Sequence, residues 1–147
     1  MKIPIKILEN GVGIELPSYA TVGSAGLDLR AAISESVFLR KGERALVPTG
    51  ISIAVPAGCN GEIRSRSGLA YKNGIAVLNS PGTIDSDYRG EVKVLLINLG
   101  GEDFAIERGM RIAQLVIQKY EKIDWNVVDS LDETCRSEGG YGSTGVK

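Results

Sequence analysis

The feature that most constrains the fold of this chain is a period of two, broken at short intervals by glycine and proline. Ile3, Ile5 and Ile7 alternate with Lys2, Pro4 and Lys6, and Leu27, Leu29, Ala31 and Ile33 share a face against Asp28, Arg30 and Ala32. Ile51, Ile53 and Val55 alternate with Ser52 and Ala54. Alternation of this kind places apolar side chains on one side of a strand. Val92, Val94 and Leu96 interleave with Lys93, Leu95 and Ile97, so this run is apolar on both faces and predicts a central strand. The β-branched run from Ile112 to Ile117 predicts another buried strand. Between the runs lie turn signals at Pro17-Ser18, Gly42, Pro48-Thr49-Gly50, Pro56-Ala57-Gly58, Ser80-Pro81-Gly82 and Gly100-Gly101. Short strands at spacings of about 8–12 residues with such punctuation predict an all-β sandwich or barrel.

Helix is scarce. Gly68 to Gly74 has room for one or two turns, opening after Ser67 as a cap and stopping at Asn73-Gly74. The chain end differs from the rest: Arg136 to Lys147 holds four glycines and no aliphatic residue before Val146. Such a segment cannot bury a core face, so the expected organisation is one domain over 1–135 and a mobile tail over 136–147.

Charge and residue types narrow the function. Of 147 residues, 17 are Lys or Arg and 18 are Asp or Glu, a net charge of −1, which gives no general electrostatic basis for stable nucleic-acid binding. Histidine is absent, which excludes a Ser-His-Asp triad, a Cys-His pair and histidine-ligated zinc. Cys59 and Cys135 stand alone, as expected of a reducing compartment. The opening residues alternate instead of forming the apolar core of a signal peptide, and no run approaches membrane-span length. The expectation is a soluble, cytoplasmic protein with no membrane association. Its chemistry must then rest on carboxylates, hydroxyls, Arg, Lys, backbone groups or an oxygen-liganded metal.

Several segments carry such chemistry. Arg64-Ser65-Arg66-Ser67-Gly68 puts two arginines on one face of a strand end, followed by a hydroxyl and a glycine where backbone N–H groups favour phosphate. Taken alone, it also suits a plain exposed basic strand end. Gly82 to Glu91 contains Asp85 and Asp87, which resemble the start of a calcium loop, but Arg89 and Leu96 occupy ligand places and reject an EF-hand. Without histidine, Asp85 is the natural base for activating water, although a polar turn fits as well. Arg108 to Leu115 reads as a polar turn followed by a core strand. Gly140 to Gly145 matches GxGxxG by letter only, because no helix can follow it. Its glycines and the hydroxyls of Ser143 and Thr144, with Arg136, form a polyanion grip once ordered by a ligand.

Taken together, these segments resemble the trimeric deoxyuridine triphosphate nucleotidohydrolase (dUTPase) family. Five motifs stand in the family's order: Ala25 to Ala31, Arg66 to Ala70, Gly82 to Gly90, Arg108 to Leu115 and Arg136 to Gly145. The resemblance implies a β jelly roll and a homotrimer whose sites draw on more than one subunit. It also implies hydrolysis of dUTP to dUMP and pyrophosphate with Mg2+, which keeps uracil out of DNA and supplies dUMP for thymidylate synthesis. By this resemblance Arg66, Ser67, Gly68 and Gln114 hold phosphates, and Arg136, Ser143 and Thr144 clamp the γ end. Asp85 activates the attacking water, and Asp28 meets the metal through water. Asn79, Thr83, Ile84, Asp85, Tyr88 and Lys93 line the uracil and deoxyribose pocket, and Tyr141 stacks on the base. The sequence departs from the family pattern at Ser65, where proline is usual, and at Tyr141, where phenylalanine is usual. The rival enzyme on the same fold, a dCTP deaminase, generally lacks the glycine-rich fifth motif. A nucleotide-binding module without chemistry is disfavoured by the intact Asp85 and tail.

Overall fold

A computed structural model of the chain describes residues 1–140. It is built of short strands: β1 (Ile5–Ile7), β2 (Leu27–Arg30), β3 (Val37–Leu39), β4 (Arg44–Pro48), β5 (Ile51–Ile53), β6 (Cys59–Arg64), β7 (Ile75–Val77), β8 (Gly82–Ile84), β9 (Lys93–Asn98), β10 (Phe104–Ile106) and β11 (Arg111–Lys119). The helix α1 (Ser67–Asn73) sits between β6 and β7, and a 3-10 turn spans Glu9–Gly11. All ladders are antiparallel: β2-β11-β6-β8, β4-β9-β7, β1-β5 and β10-β3. The sheets stack as a sandwich of jelly-roll type and do not close into a barrel.

The core lies between the inward faces of these sheets. Val92, Val94 and Leu96 are each at most 1% exposed, and Leu29, Ile106 and Ala113 are fully enclosed. Complete burial of one such Val or Leu stabilises the fold by about 1.5–3 kcal/mol. The expected central strand is β9, flanked by β4 and β7; Val94, Leu96 and Asn98 fill its buried face, and Leu95 and Ile97 on the other face are half-buried. Buried Asn98 ends that strand and is fully satisfied. Its Nδ2 donates to Leu39 O and Glu102 O, and its Oδ1 accepts from Gly100 N, all at 2.8 Å.

Two sequence expectations shift. The helix begins at Ser67, with Arg66 in the cap position and no side-chain cap bond. It ends on Gly74, whose φ of 68° suits glycine, as the Asn73-Gly74 signal predicts. The alternation from Leu27 to Ile33 forms a ladder only to Arg30, where Ala31 turns its N–H to Met110 O at 2.9 Å. After Lys119 the described chain carries no helix or strand.

Candidate active site

The four-stranded sheet presents a polar face built by its register. In this sheet Gln114 of β11 stands opposite Asp28 of β2 on one side and Arg64 of β6 on the other. Directly beyond β6 come Arg66 and then the first turn of α1, with Ser67 and Gly68. A cavity of about 370 Å³ opens here, lined by Asp28, Arg64, Arg66, Ser67, Gly68, Arg111 and Gln114, among others.

Asp28 organises the cations. Arg66 Nε donates to its Oδ1 at 3.0 Å and Arg111 Nη1 to its Oδ2 at 3.1 Å. Arg66 also donates from Nη1 to Arg111 O at 3.1 Å. Pairs this exposed contribute about 0.2–1 kcal/mol each, so their effect lies in orientation more than in stability. Two guanidinium forks are held in place beside an anion-sized cavity, next to the free N–H groups at the start of α1.

Arg111 was not among the sequence-derived site residues. It reaches the cradle through a bulge in β11, where the register against β2 shifts between Arg111 and Ala113. The extra residue lets Ile112 and Ala113 both enter the core, at 1% and 0% exposure, while Arg111 stays on the polar side. The signal was two consecutive apolar residues, Ile112 and Ala113, between the polar Arg111 and Gln114. Gln114 is packed tightly, since a Cβ on Gly26 would collide with its amide. Its Nε2 donates to Ser65 O at 3.0 Å.

The second cavity, about 320 Å³, lies beside β8. Asn79, Thr83, Ile84, Asp85, Tyr88 and Lys93 all line it, with Val77, Gly82 and Glu91. Asp85 follows the last residue of β8, at the head of a turn closed by Tyr88 N donating to Asp85 O at 3.2 Å. Arg89 staples this turn by donating to Ser86 O at 2.7 Å and Tyr88 O at 2.8 Å. The Asp85 side chain is exposed and has no hydrogen-bond or ion-pair partner among the described residues. Such a carboxylate has its lone pairs available to a water molecule.

Tyr88 is fixed. Its hydroxyl donates to Glu91 O at 2.9 Å, and the ring lies against Gly90, where a Cβ would collide with it. Glu91, which the sequence reading passed over, ties this hairpin to the body. Its Oε1 accepts from Asn10 Nδ2 at 2.7 Å and from Gly50 N at 2.9 Å. The signal would have been an acid beside a required glycine, but its partners are remote in sequence.

The structure thus gathers Arg66, Ser67, Gly68, Gln114 and Asp28 in one cavity and all six described pocket residues in the other. Arg136 lines neither, and its Nε donates to Gly139 O at 2.7 Å. Tyr141, Ser143 and Thr144 lie outside the described residues. Among the described residues no three His, Cys, Asp or Glu side chains cluster as a metal site, and no helix is long and apolar enough to cross a membrane.

A cation-lined anion cradle and a separate narrow pocket with a free carboxylate, on an all-β frame, define a nucleotide-handling protein. Comparison with known proteins makes the class specific. The dUTPase family model matches residues 13–145, and the chain belongs to that family. The deoxyuridine 5'-triphosphate nucleotidohydrolase of Rickettsia bellii (strain OSU 85-389) is 59% identical over 145 residues, covering 99% of this chain and 96% of that protein. The protein of the same name from Orientia tsutsugamushi (strain Ikeda) is 57% identical and covers 100% of both. Among solved structures, a mutant dUTPase of Staphylococcus bacteriophage 80alpha with dUpNHpp matches with a TM-score of 0.87. It shares 26% identity and covers 99% of each chain. A mutant dUTPase from phage phi11 of S. aureus, described as coordinating a structural Mg(II) ion, shares the fold at a TM-score of 0.77. It is 24% identical and covers 88% of this chain and 98% of that one.

Proposed function

We propose that this dUTPase converts dUTP and water to dUMP and pyrophosphate by in-line attack on the α-phosphorus, with Asp85 as the base. The observation that carries this is the partition of side chains. Charge-handling groups surround one cavity, and the free carboxylate stands in the other beside Asn79 and Tyr88. Asp85 orients a water and takes its proton as the new P–O bond forms. The bond to the bridging oxygen breaks, and its electron pair leaves with pyrophosphate. Arg66, the Ser67 hydroxyl, the N–H groups at the start of α1 and the second Gln114 donor stabilise that charge. Arg136, Ser143 and Thr144 clamp the γ end, and residues 136–147 act as the lid over a 1–135 core.

In the pocket, Asn79 and the backbone around Thr83, Ile84 and Lys93 pair with uracil. Tyr88 lies under the deoxyribose, and Tyr141 stacks on the base. The donor set suits Mg2+ that arrives with the substrate, because no carboxylate cluster is present among the described residues to hold it alone. When bound, the ion would neutralise triphosphate charge, and Asp28, though committed to two guanidiniums, would meet it through water.

We further propose a homotrimer with shared sites. The two cavities have no lining residue in common, which supports a reading in which one chain supplies two half-sites that complete each other across copies. An apolar groove lined by Ile3, Ile5, Leu27, Ile53, Leu115 and Ile117 lies open on the surface. Trp125, Val127 and Leu131 are 84–93% exposed. Apolar surface on this scale marks contact between chains. Light scattering should give the mass of three chains, and a monomer would overturn the shared-site arrangement. The two free cysteines support a cytoplasmic location, as expected of a reducing compartment.

The test is pyrophosphate release across a panel of nucleotides with Mg2+. Turnover is expected for dUTP and not for dCTP, UTP or dTTP. Absence of dUTP turnover, or release of ammonia from dCTP, would overturn the assignment.

A further inference from the structure

Ser65 is one of the two positions where the chain departs from its family pattern, and the structure gives its hydroxyl a specific partner. Strand β7 uses one edge to pair with β9, through Leu78 N donating to Leu95 O at 2.9 Å and Gly74 O accepting from Leu99 N at 2.9 Å. Residues of the other parity point to the opposite edge. Val77 is one of these, and it is 4% exposed, so its N–H would be buried without a ladder partner. That N–H donates to Ser65 Oγ at 2.8 Å. The Ser65 carbonyl in turn accepts from Gln114 Nε2 at 3.0 Å.

Ser65 therefore sits where the chain has just left β6, whose last ladder position is Arg64 opposite Gln114. The next residue, Arg66, is extended (φ −84°, ψ 126°), and α1 begins at Ser67. Of the two groups joined by the Ser65–Val77 bond, β7 is the fixed one. It is paired to β9, and both Ile75 and Val77 are buried in the core. The link at residues 65 and 66 has no ladder of its own. A proline at this position would restrain φ through its ring, whereas a serine leaves φ free.

We propose that the Ser65 hydroxyl is a positioning group for the phosphate cradle: by accepting the Val77 N–H it fixes the backbone from which Arg66, Ser67 and Gly68 project. This rests on the phosphate-binding role given to that cavity above. The effect should fall on ligands that carry the β and γ phosphates and spare those that do not reach the cradle.

The test uses the full-length protein with Ser65→Ala and Ser65→Thr. Steady-state kinetics on dUTP are combined with calorimetry on the imido analogue dUpNHpp and on dUMP, and with thermal midpoints. Removing an acceptor from a buried N–H should raise KM for dUTP and weaken dUpNHpp about tenfold in the alanine variant, with dUMP changed by less than about twofold. Threonine, which keeps the oxygen, should restore wild-type values. Three results would overturn the proposal: an alanine variant indistinguishable from wild type, a threonine variant as impaired as alanine, or equal weakening of dUMP and dUpNHpp with a lowered midpoint. A wild-type protein that neither turns over dUTP nor binds dUpNHpp would overturn the underlying site assignment itself, and that shows before any variant is made.

Discussion

The two cavities of this chain solve opposite problems. The cradle is made of long charged side chains that an internal carboxylate holds in position: Asp28 accepts from both Arg66 and Arg111. The pocket beside β8 is made of a strand edge, a turn and one aromatic ring; of its charged members, Glu91 and Lys93 pair with each other at 3.9 Å, and the Asp85 side chain has no partner among the described residues. Arginine side chains lose up to about 2 kcal/mol of rotamer entropy when ordered. Asp28 brings about that ordering before substrate arrives, at the cost of one positive charge in the cavity. The lesson is a division of labour. A cradle of guanidiniums recognises any polyphosphate, so discrimination between nucleotides has to come from the rigid backbone of the pocket. On the proposed reading, the unpaired carboxylate belongs on the pocket side, where base and sugar would register the reacting phosphorus against it.

The sharpest way to break this division is Asp85→Asn. It keeps the shape of the side chain and one acceptor oxygen, and removes the base. Turnover of dUTP should fall by about 10²–10⁴-fold, while dUpNHpp binding, measured by calorimetry, stays near wild type. A variant that loses binding and turnover together would place Asp85 in recognition instead of chemistry. Next in size is Asp28→Ala on the cradle side. Arg66 and Arg111 would keep their charge and lose their shared anchor, so KM for dUTP should rise about tenfold with a smaller change in kcat. Unchanged KM would mean that the guanidiniums orient without the carboxylate.

How much of this was legible in the sequence follows from the range of the interactions. The both-face apolar run became the central strand β9, and the Ile112 to Ile117 run became the body of β11, because burial imposes a pattern on consecutive residues. β3, β7, β8 and β10 are each three residues long, too short for a period to declare itself. The first strand shows the converse. Its alternation is clear, yet Ile5 and Ile7 are 42% and 49% exposed, since β1 pairs only with β5 and the described chain leaves them uncovered. Arg66 stood out in a basic strand end, Asp85 as the carboxylate available as a base in a chain without histidine, and Gln114 as polar punctuation on an apolar strand, and resemblance to the family gave them expected roles. Arg111 stood out only as polar punctuation and drew no site role, and Glu91 drew no notice. One reaches Asp28, 83 positions away, through a bulge, and the other reaches Gly50, 41 positions away. Nothing in local periodicity encodes such partners.

The smallest effect probes how the pocket keeps its shape. The Tyr88 ring is held at one end by the hairpin backbone and at the other by its hydroxyl bond to Glu91 O, and Glu91 is itself pinned by Asn10 and Gly50. If the ring excludes a 2′-hydroxyl by position, Tyr88→Ala should relax dUTP-over-UTP selectivity about tenfold, the scale on which pocket shape alone discriminates. Tyr88→Phe keeps the ring and deletes only the bond to Glu91 O. A net hydrogen bond of about 0.5–1.5 kcal/mol corresponds to a severalfold change, so selectivity should slip by only that much, with kcat nearly intact. Competition assays with both nucleotides in one tube read the ratio directly. If phenylalanine matches alanine, the hydroxyl bond sets the ring's position. If phenylalanine matches wild type, packing against Gly90 suffices, and the latch through Glu91 serves the hairpin as a whole.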